Sequence, residues 1–175
     1  MCNIKNKVII AINGAGTSFI EWLSKNEKEE SVIVINRHKN VLDKITADYK
    51  IFADKKFNIE PYLLEAKDKL VDKKIFIVLA LADDYSDVLL KKILDVFQDI
   101  LRQVCIIAVT PFDFEGKIRL KQSEELKQYI KALKLKTIDI SYQAMSDNAN
   151  KGILMYSFLN QVNEKVYYEI QNNND

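Results

Sequence analysis

Asn13-Gly14-Ala15-Gly16-Thr17-Ser18 follows the apolar run "KVIIAIN" and opens a helical pattern. Two glycines there let a backbone approach a phosphate, and the N–H groups of a helix start would receive it. The same residues also read as a tight strand–helix turn capped by Thr17 or Ser18. Asn36-Arg37-His38-Lys39 closes a second run, "SVIVIN". A basic residue at that point can accept the 2′-phosphate of NADP, and it equally suits a solvated turn. Ala82-Asp83-Asp84-Tyr85-Ser86-Asp87 closes a third run and carries three carboxylates. Such a loop opposes an anion unless a cation such as Mg²⁺ intervenes. Its other reading is structural, with Asp83 or Asp84 capping the next helix and the remaining acids complementing its dipole. Thr110-Pro111-Phe112-Asp113-Phe114-Glu115-Gly116, with Arg119 just beyond, closes a fourth.

Other chemistries find little support. The single histidine, His38, has no neighbours that suggest a catalytic constellation. The two cysteines are far apart, which gives neither a disulfide framework nor a zinc site, and Cys105 sits inside an apolar run as a small core residue. A net charge of +1 provides no bulk attraction for nucleic acid or an anionic membrane. No apolar run is long enough to span a bilayer, and no signal segment precedes the first strand, so the expected location is cytoplasmic.

The four loops need a frame that brings them together. Strand patterns fall at Lys7–Asn13, Ser31–Asn36, Lys74–Leu81, Val104–Thr110 and Lys136–Ser141, with a short extra one at Lys50–Ala53. Most are continuous β-branched and apolar runs, the pattern of parallel strands buried on both faces. Helical patterns alternate with them at Thr17–Lys25, Ile59–Val71, Asp84–Leu101, Glu115–Leu133 and about Asn148–Ile170. Repeated strand–helix units predict an α/β fold with a Rossmann-like, doubly wound, mostly parallel sheet in three layers. One domain over residues 1–170 and a polar tail over 171–175 are expected. Ligands of such sheets bind outside the carboxyl ends of the strands, where all four loops would gather.

"VTPFDFEGKIRLKQSEEL" resembles the segment "VTKPFxFEGxxRxxxAEEG" of the FtsZ/tubulin family. It keeps Thr110, Pro111, Phe112, Phe114, Glu115, Gly116, Arg119 and the Glu124-Glu125 pair, with one residue fewer between Thr110 and Pro111. "KVIIAINGAGTSFIEWL" is similar to the family's first strand and glycine-rich loop, and "NANKGILMYSFLNQV" to the start of its central helix. The resemblance implies the fold of a GTPase N-terminal domain. By position, Asn13, Gly14, Ala15 and Gly16 would lie at the phosphates, Asn36 beside them, and Glu115 and Arg119 at the ribose and guanine.

The departures shape the functional expectation. The family's GGGTGTG loop falls at Ala82–Val88 and keeps no glycine; aspartates there add repulsion, and side chains enter the phosphate's place. Two base contacts of the family fall at Tyr142 and Lys151. No counterpart of the family's second domain, with its hydrolytic loop, is read in the sequence. The expectation is therefore an FtsZ-like pseudo-GTPase domain without hydrolysis or resident cofactor. It would act as an interaction or regulatory module in bacterial cell division, bound to FtsZ or to itself as a homodimer. The alternative is a divergent nucleotide-binding protein that holds GTP or GDP with Mg²⁺ through the Gly14–Gly16 loop.

Overall fold

The continuous apolar runs become six parallel strands in one sheet, ordered β3-β2-β1-β4-β5-β6. The computed structural model describes residues 6–83, 85–149 and 152–173. Along the chain the elements are β1 (Lys7–Ile12), α1 (Asn13–Lys25), β2 (Val32–Asn36), α2 (Lys39–Leu42), β3 (Tyr49–Phe52), α3 (Glu60–Asp68) and β4 (Lys74–Ala80). They continue with α4 (Ser86–Val96), β5 (Val104–Thr110), α5 (Lys117–Ala132), β6 (Lys136–Ser141), α6 (Tyr142–Asp147) and α7 (Met155–Asn172). Cys2, Asp84 and Lys151 lie outside the described residues. No described helix is long and apolar enough to cross a membrane.

Alternate residues of each central strand enter two cores, which explains the unbroken apolar runs. Ile10, Ile12, Ile77 and Leu79 face Leu63 of α3, Leu89 and Ile93 of α4, and Leu126 and Ile130 of α5. Ile9, Ala11, Phe76, Val78 and Ile107 face Phe19 and Leu23 of α1 and Phe158, Val162 and Val166 of α7. Cys105 belongs to this second core, and burial pushes its thiol above its ordinary range. The expected doubly wound architecture is what forms. The strand order reverses direction between β1 and β4, so the crevice for a ligand lies at their carboxyl ends.

Several boundaries differ from the sequence reading. α1 begins at Asn13 rather than Thr17, so Gly14-Ala15-Gly16 is the first turn of a helix and not a free loop. Asn13 makes the turn with φ 48°, a left-handed conformation that asparagine tolerates better than most residues. Thr17 is not the cap; its hydroxyl donates back to the Asn13 carbonyl. α4 ends at Val96 and passes into a 3₁₀ segment, Gln98–Gln103. α7 starts at Met155, not Asn148, because Ser141 caps a separate short helix, its Oγ accepting from the Ala144 N–H at 3.1 Å, and Gly152 then turns the chain at φ 86°. α7 also runs two residues into the expected tail.

Gly16 sets how closely α1 sits on the sheet. A Cβ there would stand 2.7 Å from the Ala11 carbonyl carbon, 2.9 Å from its Cα and 3.0 Å from the Val78 carbonyl oxygen. All three are backbone atoms of β1 and β4, which cannot swing aside. Gly16→Ala should therefore lower stability by about 1–3 kcal/mol, as overpacking does. Urea unfolding checks this, with Gly14→Ala as the comparison, since its Cβ would meet Asp83 at an ordinary 3.4 Å. An unchanged midpoint for Gly16→Ala would contradict the packing account.

Candidate functional site

Protein groups meet one another across the crevice at the β1–β4 switch point. The backbone N–H of Gly14, in the first turn of α1, donates to Asp83 Oδ2 at 3.2 Å. Ser86, at the start of α4, donates from Oγ to the same oxygen at 3.4 Å. Asn13 Nδ2 donates to Ser86 Oγ at 3.0 Å, which completes the link between α1, the β4–α4 turn and α4. A helix N-terminus has unpaired N–H groups and a positive dipole end, so it favours an anion. Here the chain's own carboxylate stands in that position.

The turn that delivers Asp83 is built without glycine. Ala82 has φ 65° and Tyr85 φ 69°, both left-handed, and Asn13 opposite them has φ 48°. Such conformations in non-glycine residues cost on the order of 1 kcal/mol and persist only where surrounding contacts hold them. Asp83 was expected as a cap of the next helix. Instead α4 begins after Tyr85 with no side-chain cap, and Asp83 serves α1 across the crevice. Asp84, the other proposed cap, lies outside the described residues.

The remaining candidates fall into two groups. Asn13, Gly14, Ala15, Gly16 and Asn36 come together around the start of α1. Asn13 and Asn36 are both buried. Asn36 Nδ2 donates to Thr17 Oγ1 at 3.3 Å, and its Oδ1 accepts from the His38 N–H at 2.7 Å. Asn13 Oδ1 accepts from the Arg37 N–H at 3.4 Å. These amides bind β1, β2 and α1 to one another. Gly14 is exposed, Ala15 is half-buried and Gly16 is buried. Arg37 donates from Nε to His38 Nε2 at 3.0 Å.

Glu115 and Arg119 form the second group and hold each other, Oε2 to Nη1 at 2.6 Å. Glu115 Oε1 accepts from the Phe112 N–H at 2.9 Å, so its carboxylate closes the 3₁₀ turn Asp113–Glu115. Gly116 then adopts φ 98°, ψ 157°, a region open to glycine alone. The aromatics form one cluster: Phe112 lies 4.8 Å from Phe114, 5.1 Å from Tyr142 and 5.6 Å from Phe158 between ring centroids. Glu115 and Phe112 of this string are thus engaged by their own turn and by α6 and α7. Burial raises the Tyr142 phenol above its ordinary range, and the carboxylates of Glu115 and Asp83 add to the effect.

On the α4–α5 side of Asp83 opens a cleft of about 410 Å³. Lys55, Lys91 and Arg119 line it with Asp83, Asp87 and Glu125. Lys55 and Lys91 carried no signal in the sequence, because they lie outside the strand-end motifs and only the fold brings them there. Ser86 was likewise missed as the residue that bridges Asn13 and Asp83. Among the described residues, no three His, Cys, Asp or Glu side chains gather as a metal site.

No family model matches the chain, and no curated protein matches it. Solved structures do. A mutant FtsZ of M. jannaschii superposes with a TM-score of 0.76 at 19% identity over 95% of this chain and 55% of that one. TubZ of Clostridium botulinum phage c-st gives 0.72 at 12% identity over 96% and 59%. A CetZ of Haloferax volcanii, a GDP-bound monomer, gives 0.64 at 15% identity over 93% and 58%. The chain therefore has the FtsZ–TubZ–CetZ fold over nearly all its described length, and it spans little more than half the length of those proteins.

Proposed function

We propose that this FtsZ-like domain has given up GTP hydrolysis and serves as a protein-interaction or regulatory module, located in the cytoplasm and acting in bacterial cell division. The observation that carries this reading is the Asp83 carboxylate on the Gly14 amide. At an effective dielectric of about 20, a phosphate charge about 4 Å from that carboxylate is opposed by about 4 kcal/mol. The glycines that would let a backbone wrap a phosphate are replaced in the β4–α4 turn by Ala82, Asp83, Tyr85 and their neighbours. Tyr142, where the resemblance places a base contact of the family, belongs to the aromatic cluster instead of standing free for a base.

A partner surface supports the same reading. Phe114 and Ile118 are 76% and 78% exposed, and Leu154 is 74% exposed one turn before Phe158, which packs on Phe112. Met155 and Tyr156, which follow on α7, are exposed as well. Exposed apolar area of this kind marks interaction sites. The candidate partners are FtsZ and a second copy of this chain. The Tyr167–Tyr168 side of α7 is a poorer candidate, since Tyr167 packs on Trp22 at 5.7 Å and only Tyr168 remains exposed.

The alternative is a divergent binder of GTP, GDP or another nucleotide with Mg²⁺, using the Gly14–Gly16 turn. The cleft beside Asp83, with Lys55, Lys91 and Arg119, favours it. Titration calorimetry of the nucleotide-stripped protein with GTP, GDP and NADPH, with and without Mg²⁺, separates the two. The module reading predicts no heat at millimolar ligand; Mg²⁺-dependent micromolar binding of GTP would replace it with the alternative. For the partner surface, light scattering on the isolated chain should show concentration-dependent dimers that Leu154→Asp abolishes. A strict monomer at high concentration would remove self-association and leave FtsZ as the partner to test.

A further inference from the structure

β6 forms one edge of the sheet and pairs only with β5. The register runs unbroken from Lys136 opposite Cys105 to Ser141 opposite Thr110, so the strand has no bulge, and it contains no proline. An outer strand turns a row of N–H and C=O groups away from its one neighbour. Among the described residues, no backbone group outside β5 pairs with those of Lys136–Ile140. The other edge strand, β3, is shorter, with four residues against six. Free charge is a common guard of such edges. On β6 the Asp139 carboxylate is turned back to α5, its Oδ2 2.6 Å from Lys127 Nζ, and Lys136 stands at the first position of the strand. The stretch Thr137–Ile140 thus offers backbone groups without an unpaired charge.

The residues of this edge fit a second copy of the same strand. A two-fold contact between identical edges is antiparallel and sets one residue opposite its own copy. Centred on Asp139, it would oppose two carboxylates. Centred on Thr137, it would engage only Lys136–Ile138 of the strand. Centred on Ile138, it engages Lys136–Ile140 and sets the half-buried Ile138 against its copy, on the face that packs on α1 and α7. On the other face the exposed Thr137 then comes opposite Asp139, where its hydroxyl can donate to the carboxylate. Apolar pairs and hydroxyl–carboxylate pairs stabilise neighbouring strands, and like charges directly opposite destabilise them.

We infer that β6 pairs with β6 of a second copy of this chain, in an antiparallel two-fold contact centred on Ile138 that joins the two sheets into one. This rests on the self-association reading above and names its contact. Leu154 immediately precedes α7, which packs on the same side of the sheet as Ile138, so both belong to one interface between copies.

The test is disulfide cross-linking in a Cys2→Ser background, where the remaining Cys105 is buried. Under mild oxidant Ile138→Cys should form covalent dimers, because residues directly opposite in an antiparallel pair stand within disulfide reach. Thr137→Cys and Asp139→Cys should each form few dimers alone and many when the two variants are mixed. Light scattering gives the second readout. Ile138→Lys, which sets two ammonium groups face to face, should raise the dissociation constant of the dimer by about tenfold or more. If that variant does not fold, the Thr137→Cys and Asp139→Cys mixture still reads the register at exposed positions. Dimers that persist in Ile138→Lys, or that cross-link equally or not at all at 137, 138 and 139, would overturn the inference and leave self-association through another surface. A strict monomer at high concentration would overturn both the inference and the self-association reading.

Discussion

One hydrogen bond organises the candidate site: the N–H of Gly14, at the start of α1, to the carboxylate of Asp83. It spans the point where the strand order reverses, which is where an open α/β sheet offers room for a ligand. A helix start placed there needs an anion, and a ligand would ordinarily bring it. In this chain the anion is covalently attached two residues after the last core residue of β4's run, Leu81. Ser86 and Asn13 then follow as the groups that steady it. The left-handed conformations of Ala82 and Tyr85 make sense as the backbone route that brings the carboxylate to the amide.

Two other features bear on the same constraint. Gly16 lets α1 settle against Ala11 and Val78, so the helix start reaches the strand ends at the depth required for the contact. Phe112, Tyr142 and Phe158 pack on one another beyond the carboxyl ends of β5 and β6, and Glu115 closes its own turn. Asn13, the Gly14 amide, Asn36 and Glu115 at the strand ends thus have partners within the chain. Phe114, Ile118 and Leu154 remain exposed on the outer surface.

Much of the fold was legible in the sequence. Strands buried on both faces show up as unbroken β-branched runs, and β5 and β6 occur at the expected residues. The "TPFDFEG" string marked the family fold that the solved structures bear out, although its side chains turn out to support their own turn. Helix starts were less legible. Asn13 takes a left-handed conformation that no periodicity announces, so α1 begins four residues early. The α6–α7 break depends on a serine cap and a positive-φ glycine inside a stretch with helical spacing. The role of Asp83 was invisible because it depends on a partner 69 positions away, and local reading favoured the nearer helix. Lys55 reaches the cleft only through the placement of the chain after β3.

The most direct test of this account follows the Gly14 amide by ¹H–¹⁵N NMR. The amide should resonate downfield, and Asp83→Ala, which removes the acceptor, should move it upfield. Adding inorganic phosphate to the wild-type protein should leave it unmoved. A Gly14 amide that ignores Asp83→Ala, yet shifts on addition of phosphate, would contradict the account and show the helix start open to an external anion.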